Sequence, residues 1–250
     1  MKRIRLRVAY DGTNYCGWQI QPNGITIEEV LNKAITKLTK VETAVIGASR
    51  TDSGVHALGN VAVFDTESTI PPERFSYALN QRLPEDNVVV ASDEVPLDWH
   101  PRYQDVSKTY EYHVIHTRIP DPTRRLTNYF VSYPLDIEAM RKAASYLEGT
   151  HDFVSFCNIR TNVEDTVRTV YSLEVLTKGD QITFRIRGNG FLYNMVRIIV
   201  GTLLRVGRGF YTPEQVKEIL EAKNRKSAGV TAPPHGLMLM EIEYKDSEVP

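Results

Sequence analysis

The chain has 250 residues, with 30 Lys and Arg against 31 Asp and Glu and a formal net charge of −1. Hydrophobic residues at 42% and charged residues at 24% describe a globular chain and exclude disorder, collagen and coiled coil, and the near-neutral total argues against nucleic-acid binding through sheer positive charge. Cys16 and Cys157, far apart and outside any Cys-x-x-Cys, suggest neither a disulfide framework nor a zinc site, so a reducing cytoplasm is the natural compartment.

The N-terminus alternates charged and aliphatic residues and lacks the apolar core of a signal peptide. Ile4, Leu6 and Val8 alternate as a first strand, and Ile27, Val30, Leu31, Ala34, Ile35 and Leu38 carry helical spacing. Thr26 with Glu29 is a capping-box signal for the start of that helix. Apolar runs over 44–48 and 61–64 predict strands, Pro71-Pro72-Glu73 opens a helix, and 88–91 is a further strand, giving the order βαββαβ. Residues 96–107 have no sustained period and contain two prolines, which divides the chain into an N-terminal α+β half over 1–100 and a C-terminal α+β half over 101–250. In the second half a strand over 109–116 precedes a helix over 136–148 and strands at 167–176 and 181–187. A helix from Phe191, a shorter one after Pro213 and a last strand over 237–244 complete it. This repeats the element order of the first half with additions, so the expected fold is α+β: two ferredoxin-like halves side by side, with mixed, mainly antiparallel sheets. The most apolar stretch, 191–204, is broken by Asn194 and Arg197 and is too short to span a bilayer, so no membrane role is expected.

The charge is unevenly spread. Residues 181–213 hold Arg185, Arg187, Arg197, Arg205 and Arg208 and no acid, whereas 61–100 hold eight acids against Arg74 and Arg82. On the helix from Phe191, Asn194, Arg197, Gly201, Arg205 and Arg208 fall on one stripe. For Arg205 and Arg208 a solvated face explains the stripe as well as a functional one does. Arg197, flanked by Met195-Val196 and Ile198-Ile199-Val200, is expected to be partly buried, and a buried guanidinium needs an acid to offset its desolvation. The candidate acid is Asp52, in a short turn between strands that also holds Arg50 and is closed by Gly54. Taken alone, an Asp-Ser-Gly is more often a turn capping its own backbone.

Six segments, in order, change that balance. Ser49-Arg-Thr-Asp-Ser-Gly-Val-His-Ala57 resembles the catalytic signature of pseudouridine synthases of the tRNA pseudouridine synthase A family, with Ser53 where the family usually has Ala. Tyr10-Asp-Gly-Thr-Asn-Tyr-Cys-Gly-Trp-Gln19 is similar to the family's opening motif, and Pro101-Arg102 with Lys108-Thr-Tyr-Glu-Tyr112 to its central one. The segments 151–156, 189–197 and 232–237 resemble the later motifs. The resemblance implies the pseudouridine synthase fold with a central cleft, and an isomerase that acts on uridine at tRNA positions 38, 39 or 40, in the anticodon stem-loop. It implies no cofactor and no metal, and a homodimer in which one tRNA touches both subunits.

Carried over residue by residue, Asp52 is the essential carboxylate, Arg197 the cation that keeps it ionised, and Tyr110 the active-site tyrosine that stacks on the uracil. Arg50 helps to extrude or replace the flipped base, Leu237 forms an apolar wall of the pocket, and Arg205 joins the substrate-binding set. Read as residues only, Tyr110 is equally a core strand tyrosine, sharing a face with Tyr112 and Val114. Asp52 can act at C1′, as in retaining glycosidases, at C2′ or at uracil C6, and the sequence does not choose. His113 and His116 are expected on opposite faces of a strand as structural residues, and His56 as a support for the loop. Lys2, Arg3, Arg5, Arg7, Lys108, Arg118, Arg124 and Arg125 are candidates to extend an RNA surface through phosphate contacts. Two rival readings remain: a catalytically silent RNA-binding module, and an Asp-dependent hydrolase of nucleosides or phosphoesters.

Overall fold

The computed structural model describes residues 1–104, 106–158 and 165–245; Asp105, in the expected junction, lies outside them. The first part runs β1 (Lys2–Tyr10), α1 (Ile27–Thr39), β2 (Ile46–Gly47), β3 (His56–Thr66), α2 (Phe75–Asn80) and β4 (Asn87–Val95), the βαββαβ order expected. β1 lies between β3 and β4, antiparallel to both, and β2 pairs antiparallel with β3 at Val63 and Ala62. The alternation of β1 buries Ile4, Leu6 and Val8 completely. Helix α1 starts where its cap requires: the Thr26 hydroxyl accepts from the Glu29 N–H, and Ile27, Leu31, Ala34 and Ile35 form the buried face. Pairing of β1 with β3 is irregular between Val8, opposite Asn60, and Tyr10, opposite Ala57. Such bulges re-aim the chain at the end of a ladder, and this one sits directly after the 48–55 loop.

The second part runs β5 (Val106–His116), β6 (Tyr129–Val131), α3 (Ile137–Ser145), β7 (Gly149–Asp152), β8 (Val167–Lys178), β9 (Gln181–Gly188), α4 (Met195–Gly207) and α5 (Pro213–Glu221), and then β10 (Leu237–Tyr244). Its strands are ordered β5-β9-β8-β7 through antiparallel pairs, with β6 parallel to β5. β6 and β7 were not anticipated; at three and four residues they are too short to display a period. α3 and α5 begin at side-chain caps, Asp136 accepting from Ala139 and Thr212 closing a reciprocal box with Gln215.

Helix α4 departs from expectation at its start. It starts at Met195, not Phe191, because Asn194 sits in the left-handed region (φ 62°), which no helix interior tolerates. Its stripe is the least buried face, as expected: Asn194, Arg197 and Arg205 are half-buried, Arg208 is exposed, and Gly201 alone is buried. Every α4 residue except Arg197 and Arg205 is buried, as befits a helix that is hydrophobic all round. Gly201, on that stripe, is covered by the backbone of Val230: a Cβ there would lie 1.8 Å from the Val230 oxygen, so only glycine fits.

The chain forms two compact units, 1–106 with 238–250, and 107–237. The division falls a few residues beyond the expected 100/101. The last strand, expected in the second half, counts with the first, because Met238 and Leu239 pair in parallel with His56 and Ala57 of β3. Among the described residues no helix is long and apolar enough to cross a membrane.

Candidate active site

In the first unit the loop between β2 and β3 is held at Thr51, Ser53 and Gly54 by the 10–18 segment and at Ser49 by Asn60. Burial alternates along it: Ser49 and Thr51 are buried, Arg50 is exposed and Asp52 is half-buried, so Arg50 and Asp52 share the outward side. On the inward side the Tyr10 hydroxyl meets Thr51 Oγ1 at 2.8 Å and accepts from Asn60 Nδ2 at 3.2 Å. Asn60 also donates to the Ser49 carbonyl at 3.0 Å. The Trp18 N–H donates to the Thr51 carbonyl, and the Gly54 N–H and Ser53 hydroxyl both donate to the Tyr15 carbonyl. The turn itself is closed by the Val55 N–H on the Asp52 carbonyl, with Gly54 at φ 76°. Gly17 is required beside it. Its φ is 83°, and a Cβ would lie 2.5 Å from the Thr51 oxygen.

Further along, His56 is buried and its Nδ1 faces both the Gly12 N–H (3.1 Å) and the Asp11 carboxylate (3.0 Å), so either tautomer finds a partner there. This fits the support role expected of it. Burial pulls the Asp11 carboxyl upward, but hydrogen bonds from Thr13 and the neighbouring His56 ring outweigh it and hold the group below its ordinary range. Tyr15, whose carbonyl anchors the turn, is fixed in its own right, with its hydroxyl donating to Asp86 and accepting from Asn87. The 10–18 segment is thus a clamp, and an extended carboxylate-bearing loop is what it holds.

In the second unit Tyr110 sits on β5 opposite Ile186, buried except for a small part, with its ring edge-on to Phe191 at 5.2 Å and 85°. Two residues on, Tyr112 is sealed in the core: its hydroxyl donates to the Pro233 carbonyl, the Gly236 backbone packs on its ring, and burial pushes its phenol up against the opposing charge of Arg197. Arg197 is fixed at three points. Its Nε donates to the Ala232 carbonyl at 2.8 Å, its Nη1 to Asn194 Oδ1 at 2.8 Å, and its own carbonyl accepts from the Ala232 N–H at 3.0 Å. The left-handed Asn194 is what turns that side-chain oxygen toward the guanidinium. Leu237 is buried at the end of the turn that covers Tyr112. Arg205 lies eight residues along α4 from Arg197, roughly 12 Å at helical rise, with its guanidinium over the rings of Phe210 (5.3 Å) and Tyr211 (5.9 Å). The structure therefore groups Arg50 with Asp52 in the first unit, and Tyr110, Arg197, Leu237 and Arg205 belong to the second.

Several cations proposed for an RNA surface have other work. Arg3 pairs with Asp65, Arg5 with Asp93 while only 3% exposed, and Arg124 with Asp121 and Asp180. Asp65 and Asp93 belong to the acid-rich 61–100 segment, so part of that excess is cancelled by the strand beside it. His113 is hydrogen-bonded to Glu111, which also pairs with Arg185, and His116 to the Tyr133 carbonyl, so both are structural as expected. The sequence reasoning did not single out Tyr10, Asn60 or Arg102. Arg102 Nε donates to the Gly47 carbonyl at 2.7 Å, just ahead of the loop. Tyr10 and Arg102 carried only membership of motifs as a signal in the sequence, and Asn60 lies outside the motifs.

A family model described as tRNA pseudouridine synthase matches residues 7–104 and 143–245. A tRNA pseudouridine synthase A from a Thermoanaerobacter species is 51% identical over 244 residues, 98% of this chain and 100% of that protein. One from an Exiguobacterium species is 49% identical over 245 residues, covering 98% and 99%. Another, from Acetivibrio thermocellus, is 47% identical over 98% and 100%. Among solved structures, a chain of a Cbf5-Nop10-Gar1 complex aligns with 95% of this chain at 15% identity and a TM-score of 0.34. This chain spans about half of that one, 47% of its length.

Proposed function

The chain belongs to the tRNA pseudouridine synthase family, and we propose that Asp52 is the carboxylate on which its isomerisation of uridine in tRNA depends. The observation that carries this reading is the clamp: a half-buried acid on a loop hydrogen-bonded at Thr51, Ser53 and Gly54 by the separate 10–18 segment and at Ser49 by Asn60. A carboxylate that only capped its own turn would need no such support, whereas one that must meet a reacting carbon within a few tenths of an ångström does.

The reaction is redox-neutral. The N1–C1′ bond breaks with its electron pair left on uracil, the ring turns, C5 bonds to C1′, the C5 proton is lost to a base and N1 gains a proton. By stoichiometry it needs no cofactor and no metal. Asp52 meets the electron-poor sugar at C1′, takes a C2′ proton, or adds to uracil C6. Arg197, held by Ala232 and Asn194, is the cation of the reaction, and Tyr110 supplies the ring that stacks on the uracil and a hydroxyl for the C5 proton step. Arg50 occupies or screens the space left by the extruded base, Leu237 walls the uracil, and Arg205 binds the substrate backbone. The target is a uridine at positions 38, 39 or 40 of the anticodon stem-loop, and the enzyme is a cytoplasmic homodimer whose tRNA touches both subunits.

The test is to incubate an unmodified tRNA with the protein alone and detect carbodiimide-stable adducts as primer-extension stops. Stops at 38–40 that vanish with Asp52→Asn are expected; full activity in Asp52→Asn would overturn the assignment, and stops elsewhere would overturn the positions. A monomer at micromolar concentration in sedimentation would overturn the dimer.

A further inference from the structure

We infer that Arg50, Arg102 and Tyr103 form a nucleotide shelf on the first unit beside the Asp52 loop. It takes one unpaired nucleotide of the RNA substrate, with its phosphate between the two guanidiniums and its base on the outer face of Tyr103. The inference rests on the reading that this unit meets RNA through the Asp52 loop, and it adds residues and a ligand that reading does not contain.

Three features converge. The first is the pair of cations. Arg102 is tied by Nε to the Gly47 carbonyl at 2.7 Å, which places it three residues from Arg50 along the strand that enters the loop. Its Nη nitrogens have no hydrogen-bond partner among the described residues. Burial, then the charge of Arg50, lowers its pKa, the sign of two guanidiniums held near each other. Neither makes an ion pair among the described residues. Glu28 is the acid whose field reaches Arg102, but one of its carboxylate oxygens already accepts from the Ile20 N–H at 2.9 Å. Like charges kept together with no ion pair to either among the described residues form a site for an anion, and guanidinium forks suit a phosphodiester.

The second feature is the aromatic pair. Tyr103 stacks on His100 with ring centroids 4.1 Å apart and planes 18° from parallel, yet the residue is 84% exposed. Its inner face is supported and its outer face is open. The turn that holds it is ordered by the Tyr103 N–H on the His100 carbonyl and the Arg102 N–H on His100 Nδ1, both 3.2 Å. The third is the state of that histidine. With Nδ1 accepting, and with burial and the charges of Arg102 and Arg3 all pushing its pKa down, the ring is neutral. A neutral imidazole behind a tyrosine, two arginines beside it and one ring face in water are the parts of a base-stacking and phosphate-binding surface.

The experiment measures affinity of the full-length protein for a fluorescein-labelled, unmodified tRNA transcript across a salt titration. Tyr103→Leu keeps apolar bulk but removes the ring and should weaken binding about 5- to 150-fold, the range for a lost base stack, and Tyr103→Trp should restore it. Arg102→Gln should lower the slope of log affinity against log salt by about 0.7–0.9; Arg102→Lys, which keeps the charge, should leave the slope near wild type even if the Gly47 tether is lost. Wild-type affinity and slope in folded Tyr103→Leu and Arg102→Gln would overturn the shelf. Pseudouridine formation by the wild-type protein is read in parallel: product together with unaltered variants sinks the shelf alone, and absence of product sinks the functional reading.

Discussion

Replacing Tyr10 with Phe removes one oxygen and tests the clamp directly. That hydroxyl accepts from Asn60 Nδ2 and faces Thr51 Oγ1, all three groups being buried. Its loss leaves Thr51 Oγ1 without this partner and Asn60 with one bond fewer, although Asn60 still donates to Ser49. A buried group left short of a hydrogen bond costs about 1–3 kcal/mol. For a chain of this size that is a fall in Tm of roughly 2–12 °C, at about 2–4 °C per kcal/mol. Because Thr51 precedes Asp52, the same change should lower kcat for pseudouridine formation while KM for tRNA stays within about twofold. A matched Thr51→Val variant makes the cycle decisive. If Tyr10 and Thr51 act as one unit, the double variant should lose less than the sum of the singles, with a coupling of about 0.5–3 kcal/mol in differential scanning calorimetry. Additive losses, or a Tyr10→Phe variant with wild-type Tm and wild-type kcat, would refute the idea that this hydroxyl fixes the loop.

Asp52→Asn should reduce pseudouridine formation by at least about 10²–10⁴-fold while the protein still binds tRNA in a filter assay. Gly17→Ala forces a side chain into a left-handed backbone against the Thr51 carbonyl and should cost about 1–3 kcal/mol in thermal denaturation, with the surviving fold slower in turnover. Asp11 has its folded-state pKa below the ordinary value of 3.8, so the stability it contributes is present above that value and is lost as pH falls through the folded pKa. The Tm difference between wild type and Asp11→Asn should therefore shrink below about pH 4, and a constant difference from pH 7 to pH 3 would contradict the pairing. Arg5→Met leaves the half-buried Asp93 without its partner and should cost about 1–3 kcal/mol with no change in the salt slope of tRNA binding, since that charge is already neutralised.

Local signals were enough for elements that carry their own stops. Thr26 marked the start of α1 and the 237–244 alternation gave β10 to the residue, because a cap or a pleat needs only neighbours in sequence. They failed where a distant residue decides. α4 begins late because Asn194 takes a left-handed turn that serves Arg197, and Gly201 is buried within an otherwise open stripe because Val230 lies on it. Arg3 and Arg5 looked free until β3 and β4 brought Asp65 and Asp93 alongside. The Asp52 loop was recognisable only as a motif. Its physical distinction, the hydrogen bonds from Tyr10, Trp18 and Asn60, joins residues up to some forty positions apart, and no window of periodicity contains them.

β10 has a bearing on the order in which the molecule can be made. Met238 and Leu239 lie in parallel beside His56 and Ala57, the residues with which β3 leaves the Asp52 loop. On the ribosome the loop and its clamp emerge before the strand that lines the start of β3, which follows about 180 residues later in the sequence. Until then that stretch of β3 has an open flank, a place where a foreign strand could pair. Closure of the reactive loop's neighbourhood is thus deferred until β10 has emerged, and the pairing of two such distant segments makes this a slow, non-local step of folding.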